Sequence, residues 1–277
     1  MELQGKTALV TGGAHRVGRA IVIALAHAGA KVAVNYNTSA AEAAETVTAV
    51  QQSGGKAVAF QADVGNAAAA HTLVDQTAQH FGSLDLLVNN ASTYTKSPVP
   101  FSEPVWRRTM DVILDGAFHC AKAAAPHMQT AGAGVIINIA DLHAVRPSTT
   151  FMAHGVAKAG LLALTEHLAV AFAPHIRVNA IIPGPVLPPE RLDADAVRRI
   201  AERTLLKRWG TPADVAAAVL FLTACDYICR STPAFEQSAF CNPAHGFGIK
   251  PLWWQHRPGN YGIDTDVRCK RHRQMFG

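Results

Sequence analysis

Charge is scarce in this chain. Only 16% of the 277 residues are charged, whereas 49% are hydrophobic. This balance excludes the disordered, collagen-like and coiled-coil classes, because the chain has ample apolar surface for a core. The length fits one α/β domain with an additional tail, since α/β sheets of about 200–250 residues commonly fold as one unit.

Long apolar runs are also missing. No stretch of about 18 consecutive apolar residues occurs, so the sequence predicts no membrane-spanning helix. Residues 1–6 contain no apolar signal core, and the five cysteines are odd in number and irregularly spaced. We therefore expect a cytoplasmic protein with reduced cysteines.

Positive charge is concentrated at the end of the sequence. The formal net charge is +5, and residues 229–277 hold seven Lys or Arg against three acidic residues. The remaining chain is nearly neutral and has no basic face typical of nucleic-acid binding. We interpret the basic end as a solvated terminus, with a phosphate-binding patch as the alternative, and expect no nucleic-acid or membrane partner.

Short apolar segments alternate with segments of helical spacing. The predicted strands are 7–10, 32–34, 57–60, 84–88, 135–139 and 176–182. The predicted helices are 16–28, 39–50, 67–81, 103–129, 151–172, 194–206 and 212–223. This alternation predicts an α/β fold with a Rossmann-type, doubly wound parallel sheet in a single domain. Ligands of such sheets bind beyond the carboxyl ends of the strands.

The loop after the first strand is rich in glycine. It reads Thr11-Gly12-Gly13-Ala14-His15-Arg16-Val17-Gly18 and leads directly into a predicted helix. Glycine lets the backbone approach a phosphate, and the helix N-terminus supplies free N–H groups. The position between a strand and a helix favours a dinucleotide phosphate site over an ordinary tight turn.

Several further motifs follow in a recognisable order. They are Asp63-Val64, Asn89-Asn90-Ala91-Ser92, a helical Lys158, Arg177-Val178-Asn179-Ala180 and Pro183-Gly184. Together with the glycine-rich loop they make the chain resemble a short-chain dehydrogenase/reductase over residues 5 to about 228. Arg16, Ala91-Ser92 and Asp141 resemble the pteridine reductase-like branch of that family.

The resemblance implies a nicotinamide dinucleotide cofactor. No Asp or Glu ends the second strand, where an acid would bind the ribose of NAD and repel a 2′-phosphate. This absence, with Arg16 nearby, favours NADP(H), although NAD(H) stays possible and Arg16 could be merely solvated. The expected cofactor-binding residues are Gly12, His15, Arg16, Val17, Gly18, Asn35, Asn37, Ser39, Asp63, Val64, Asn90, Ala91, Ser92, Lys158, Pro183 and Gly184.

The family's catalytic Ser–Tyr–Lys set is altered here. The resemblance places Asp141 at the serine position, His154 at the tyrosine position and Lys158 at the lysine position. Residues four apart share one helix face, so His154 and Lys158 can address one spot. We expect Asp141, His154 and Lys158 to be catalytic, although Asp141 could simply cap the turn and Lys158 could lie at the surface.

Three roles are open for His154. It could donate the proton, since imidazole titrates near neutrality. It could instead line the pocket while Asp141, Tyr94 or water supplies the proton. Alternatively, the site could bind a nucleotide without turnover. Tyr94, His143 and Val186 lie on loops where the family's substrates pass, so they are the expected substrate contacts.

The resemblance ends after Ile228. The family's last strand and its Val-Asp-Gly-Gly motif are absent, and residues from Cys229 onward show no regular period. We therefore divide the chain into a reductase domain, 1–228, and an atypical tail, 229–277, which a frame change in the gene would explain. The cysteines and histidines of the tail match no zinc spacing, so no metal is expected.

These features favour an NADPH-dependent reductase of a small carbonyl or a pterin-like C=N bond. The alternatives are a catalytically impaired nucleotide-binding protein, serving as a sensor or scaffold, and a truncated, poorly folding product. A small-molecule substrate and a homodimer or homotetramer are the expected partners. Loss of the last strand would remove a surface that the family uses for tetramers, whereas the helix at 151–172 could still form a dimer.

Overall fold

The computed structural model describes residues 1–97, 102–188 and 192–230. In these residues one six-stranded sheet has the order β3-β2-β1-β4-β5-β6. The strands are β1 Thr7–Val10, β2 Lys31–Tyr36, β3 Lys56–Gln61, β4 Leu86–Asn89, β5 Gly134–Ile139 and β6 Ile176–Ile181. All neighbouring strands are parallel, and the order reverses between β1 and β4, which confirms the Rossmann-type prediction.

Helices connect the strands. They are α1 Arg16–His27, α2 Ala40–Gln52, α3 Ala67–Phe81, α4 Glu103–Met110, α5 Gly116–Thr130, α6 Met152–Phe172, α7 Ala194–Arg203 and α8 Pro212–Ala224. A π-helical turn, Asp111–Asp115, joins α4 to α5, and a 3₁₀ turn, Leu142–Ala144, follows β5. The helix predicted over 103–129 is therefore interrupted by wider winding, and α7 ends three residues before the predicted end at 206.

Both faces of the sheet are buried. Val10 points towards a core formed with α1 and α8, whereas its neighbour Leu9 points towards a core formed with α3 and α5. Successive side chains of a strand point to opposite faces, so continuous apolar strands are what a doubly covered parallel sheet requires. The covered faces leave the loops at the strand ends as the place for a ligand.

Helix α6 is long and apolar. Among the described residues it alone has the length and composition to cross a membrane. However, Lys158 is only 3% exposed near its middle, and the helix packs against β6. We interpret α6 as a core helix whose apolar character serves packing against the sheet.

A chain of buried hydrogen bonds links β4, β5 and α6. Asn89 Nδ2 donates to Asn138 Oδ1 at 2.9 Å, and Asn138 Nδ2 donates to Thr165 Oγ1 at 2.8 Å. Thr165 in turn donates to the Leu161 carbonyl oxygen at 2.7 Å. A buried amide that loses its partner costs about 1–3 kcal/mol, so this chain holds the three elements in register.

The last described residues lie along β6. The backbone N–H of Arg230 donates to the Val178 carbonyl oxygen at 2.9 Å. The Ile228 carbonyl oxygen accepts hydrogen bonds from Asn179 Nδ2 at 3.0 Å and from Arg177 Nη1 at 2.9 Å. The tail expected from residue 229 lies, apart from its first two residues, outside the described residues, so the division at 228 stays a prediction.

Candidate active site

The glycine-rich loop packs closely against the loop that follows β4. Gly12 has a φ of +61°, and a Cβ atom there would lie 3.0 Å from the Cα of Ala91. A Cβ on Gly18 would collide with the carbonyl oxygen of Gly12. Only glycine fits at these two positions, and the close packing brings the N-terminus of α1 to the sheet edge, where it has no side-chain cap.

Two asparagines hold this loop in place. Asn90 Nδ2 donates to the carbonyl oxygens of Thr11 and Gly12, both at 2.9 Å. Asn35 Oδ1 accepts from the Gly12 N–H at 3.2 Å, while its Nδ2 donates to the Ala62 carbonyl oxygen at 3.0 Å. Asn35 is buried at 2% exposure and bonded to backbone, so these contacts position the loop, while its expected role towards the cofactor stays a prediction.

Exposed polar side chains surround the loop. His15 and Arg16 are exposed at the start of α1, and Asn37 is exposed just after β2. Asp63 Oδ2 lies 2.6 Å from Arg108 Nη1, so this carboxylate is paired with a cation that the sequence patterns did not single out. The other expected cofactor residues lie on α1 or on loops at the carboxyl end of the sheet: Val17, Ser39, Val64, Ala91, Ser92, Pro183 and Gly184.

Helix α6 brings His154 and Lys158 to the end of β5, and each is 3% exposed. Lys158 Nζ donates to the Ile139 carbonyl oxygen at 2.6 Å. Burial lowers the pKa of Lys158 to about 8, although the nearby Asp141 carboxylate acts in the opposite direction. Lys158 is therefore a buried group and not the surface lysine of the alternative interpretation.

The ring of His154 has one nitrogen bonded and one nitrogen free for chemistry. Its Nδ1 lies 2.9 Å from the Thr93 carbonyl oxygen, which can only accept a hydrogen bond, so Nδ1 carries a hydrogen. Its Nε2 is buried without a hydrogen-bond partner among the described residues and lies 3.7 Å from Asp141 Oδ1. Nε2 is thus directed at the carboxylate.

Asp141 both caps the 3₁₀ turn and faces His154. Its Oδ1 accepts from the His143 backbone N–H at 2.7 Å and lies 2.6 Å from His143 Nδ1. Burial acts to raise the pKa of Asp141, but the contacts with His143 and His154 outweigh it and hold the pKa below its usual range. Asp141 is therefore an anion at neutral pH, which argues against it as the proton source.

An aromatic rim borders the two histidines. The Tyr94 ring stacks on Phe151 with ring centroids 4.2 Å apart and meets His154 edge-on at 4.9 Å. Partial burial, with a further effect from Asp141, raises the pKa of Tyr94 to about 12, so its hydroxyl stays protonated. Sequence reasoning missed the Thr93 carbonyl and Phe151, which directly precedes the first residue of α6.

Val186 lies elsewhere. It lines an open cavity of about 520 Å³ together with Pro183, Gly184, Leu206 and Phe221. The lining of this cavity is mostly apolar, with Arg208 and Asp214 as its charged members, and does not include Asp141, His143 or His154. The structure therefore brings Tyr94 and His143 together, whereas Val186 lines a cavity beside the expected cofactor residues Pro183 and Gly184.

The chain is similar to known proteins over most of its length. The family model described as enoyl-(acyl carrier protein) reductase matches residues 12–227. Glucose 1-dehydrogenase 2 of Bacillus subtilis is 35% identical over 228 residues, which are 80% of this chain and 88% of that protein.

Two solved structures are similar and hold a cofactor. FolM alternative dihydrofolate reductase 1 from Brucella canis, complexed with NADP, has 32% identity and a TM-score of 0.79 over 84% of this chain and 93% of that chain. A short chain dehydrogenase from Burkholderia cenocepacia J2315, also with NADP, has 33% identity and a TM-score of 0.79 over 86% and 99% of the two chains. On this evidence the chain belongs to the short-chain dehydrogenase/reductase family.

Proposed function

We propose that this protein is an NADPH-dependent reductase that transfers a hydride to a small carbonyl or to a pterin-like C=N bond. The observation that carries the proposal is the position of His154 and Asp141 beside the buried Lys158, at the carboxyl end of β5. In a doubly wound sheet this edge, next to the glycine-rich loop, is where a dinucleotide and its substrate meet.

The residues fit such a cofactor. Gly12 and Gly18 leave no room for a Cβ, so the loop lies tightly against the residues after β4, and the N-terminus of α1 has no side-chain cap. The exposed Arg16 and Asn37, with no acidic side chain at the end of β2, suit a 2′-phosphate and favour NADP(H) over NAD(H). When bound, the reduced nicotinamide supplies the hydride. Both solved relatives described above hold NADP.

The proton is assigned to His154. The charged imidazole would carry a hydrogen on Nε2, and the anionic Asp141 at 3.7 Å would stabilise that charge. The Thr93 carbonyl oxygen fixes the ring through Nδ1. Asp141 is ionised and the Tyr94 hydroxyl has a pKa raised to about 12, so neither matches the near-neutral pKa that suits a general acid.

The rim of the site suits a flat ring. Tyr94 is 56% exposed and stacks on Phe151, so one face of an aromatic surface borders the histidines. Stacking and polar contacts together are what a pterin-like ring would use. The FolM neighbour, named a dihydrofolate reductase, agrees with this choice. A small carbonyl compound is the second substrate class.

Assembly and compartment are part of the proposal. Val156 and Val170 on α6 are 46% and 69% exposed, and Phe118 on α5 is 41% exposed. Apolar groups left on two neighbouring helices favour a homodimer or homotetramer. We also propose a cytoplasmic location.

The test begins with binding. The full chain would be titrated with NADPH and with NADH while nicotinamide fluorescence is followed, and we expect tighter binding of NADPH. Single-turnover oxidation of NADPH would then be measured with dihydropterins, small aldehydes and small ketones. Failure of both dinucleotides to bind would overturn the proposal.

A matched pair of variants tests the proton donor. His154→Asn keeps a donor near the Thr93 carbonyl but removes Nε2, and should lower the rate by about 10²–10⁴ with dinucleotide affinity retained. His127→Asn changes a histidine outside the site, paired with Asp75, and should leave the rate unchanged. Binding of NADPH without turnover in the unmodified chain would favour the alternative, a nucleotide-binding sensor or scaffold.

A further inference from the structure

Three side chains that ligate metals converge at the mouth of the site. Asp141, His143 and His154 each offer one ligand atom, and these atoms lie within 4.8 Å of one another. No metal was expected from the sequence, where these three residues were not considered together. We propose that Asp141, His143 and His154 form a binding site for a divalent transition-metal ion of the zinc class.

The buried Nε2 of His154 is the main reason. The ring is 3% exposed, Nδ1 donates to Thr93, and Nε2 has no hydrogen-bond partner among the described residues. A buried polar atom without a partner is costly. A histidine that binds a metal through one nitrogen usually donates the other N–H to a carbonyl or carboxylate, and His154 already has that arrangement.

The distances suit a zinc-sized ion. Zinc lies about 2.0–2.2 Å from imidazole and carboxylate ligands, so ligand atoms of a tetrahedral site are about 3.3 Å apart. Asp141 Oδ1 lies 2.6 Å from His143 Nδ1 and 3.7 Å from His154 Nε2. The 2.6 Å separation is that of a hydrogen bond, which a metal would replace: His143 Nδ1 would lose its hydrogen and move away from the carboxylate oxygen, while Asp141 and His154 would move closer together.

The access of the cluster also fits a metal ion. The side chains of His143 and Asp141 are 25% and 30% exposed, so an ion from solvent can reach them. Two imidazoles with one carboxylate also suit Co²⁺, Ni²⁺ and Cu²⁺.

Gly155 allows the two histidines to approach. A Cβ on Gly155 would lie 3.0 Å from the His143 carbonyl oxygen, so glycine at this place lets the 3₁₀ turn lie directly against α6. The metal site goes beyond the proposed function, because it needs only the chain itself. Nε2 cannot hold a metal and the donated proton at once, so the two roles exclude each other on one molecule.

The experiment is a metal titration of the full, metal-free chain. Co²⁺ binding would be followed by visible absorption and calorimetry, and Zn²⁺ would then be added to displace it. We expect a site that His154→Asn weakens about 100-fold or more, whereas His127→Asn, which alters a part-buried His–Asp pair outside the site, leaves it unchanged. Equal stoichiometry and affinity in the original chain and in His154→Asn would overturn the proposal.

Two controls keep the result interpretable. Asp141→Asn provides a second loss of one ligand if His154→Asn does not fold. Cysteine binding elsewhere in the chain would give cobalt–sulfur charge-transfer bands, and a titration showing only these bands would count against the site. NADPH binding is measured on every variant, so that failure of the dinucleotide site and failure of the metal site are seen separately.

Discussion

The Thr93 carbonyl oxygen accepts a 2.9 Å hydrogen bond from Nδ1 of His154, and this contact joins α6 to the loop after β4. It settles which ring nitrogen carries a hydrogen in the neutral form, because a carbonyl cannot donate. The second nitrogen is therefore left to face Asp141. The backbone of one loop thus sets the chemistry available to a side chain of another element.

Dinucleotide binding should depend on pH through Lys158. Its pKa of about 8 means that the buried ammonium loses its charge as the pH rises through that value. We expect the affinity for NADPH to fall between about pH 7 and about pH 9, because a cation that faces an anionic ligand disappears. Fluorescence titration across this range checks the prediction. Lys158→Met should bind weakly with no such slope, and an equal slope in that variant would assign the effect to another group.

The lowered pKa of Lys158 also predicts how the stability of the fold depends on pH. The pKa of Lys158 is lowered from 10.5 to about 8 in the folded chain, so the unfolded chain binds more protons between these values. The free energy of unfolding should therefore rise with pH across that window, and the full cost of burying the charge is present below it. At pH 7, Lys158→Met should raise the free energy of unfolding by roughly 2–3 kcal/mol, after allowing for the hydrogen bond lost at Ile139. Urea denaturation at pH 7 and at pH 10 measures the difference, and a destabilised variant at pH 7 would contradict it.

A negative charge introduced at the end of β2 should affect stability at one position and cofactor selectivity at another. Asn35 donates from a buried amide to the Ala62 carbonyl oxygen, so Asn35→Asp would set a carboxylate against it and cost about 3 kcal/mol or more. Asn37 is exposed, so Asn37→Asp should leave stability within about 0.5 kcal/mol while shifting selectivity towards NADH. Thermal unfolding and parallel NADPH and NADH titrations separate the two effects. Unchanged selectivity in Asn37→Asp would place the 2′-phosphate elsewhere.

The loop around Gly18 should tolerate no side chain. Gly18→Ala would drive a Cβ into the Gly12 carbonyl oxygen and to within 2.7 Å of Asn90 Nδ2. We expect loss of NADPH binding by more than about 10-fold together with lower stability, because backbone must move. Gly54→Ala is the control: its φ of +82° is left-handed, but nothing lies within 4 Å of the added atom. A cost of about 1 kcal/mol and intact binding are expected there. Equal effects of the two changes would show that the contacts around Gly18 relax to accept a methyl group.

The sequence predicted the sheet and most element bounds, because apolar strands alternating with helices leave few topologies. It did not predict the π-helical turn Asp111–Asp115, since one widened turn barely disturbs the apolar pattern of a long helix. Nor did it predict that Asn35 is buried or that Val186 lines a cavity that does not include His154. Such details depend on how loops fold over the strand ends, and spacing along the chain carries little of that information.

The convergence of His143 with His154 illustrates the same limit. The two residues are eleven positions apart, on a short turn and on a helix, and no local period connects them. Their ring centroids are 6.0 Å apart because the turn lies directly on Gly155. Gly155 is evident in the sequence next to His154. Its structural role, which is to let the 3₁₀ turn pack against α6, depends on which loop covers it.

The buried hydrogen bonds from Asn89 through Asn138 to Thr165 also constrain how this sequence can evolve. Each side chain supplies the partner that the next one needs, on three different elements. A change at one position leaves a buried polar group without a hydrogen-bond partner. Apolar replacements at two or three of the positions together can remove the polar groups that require partners. Variation at these three positions among relatives should therefore be correlated, and single substitutions that are harmless in one relative should be harmful in another.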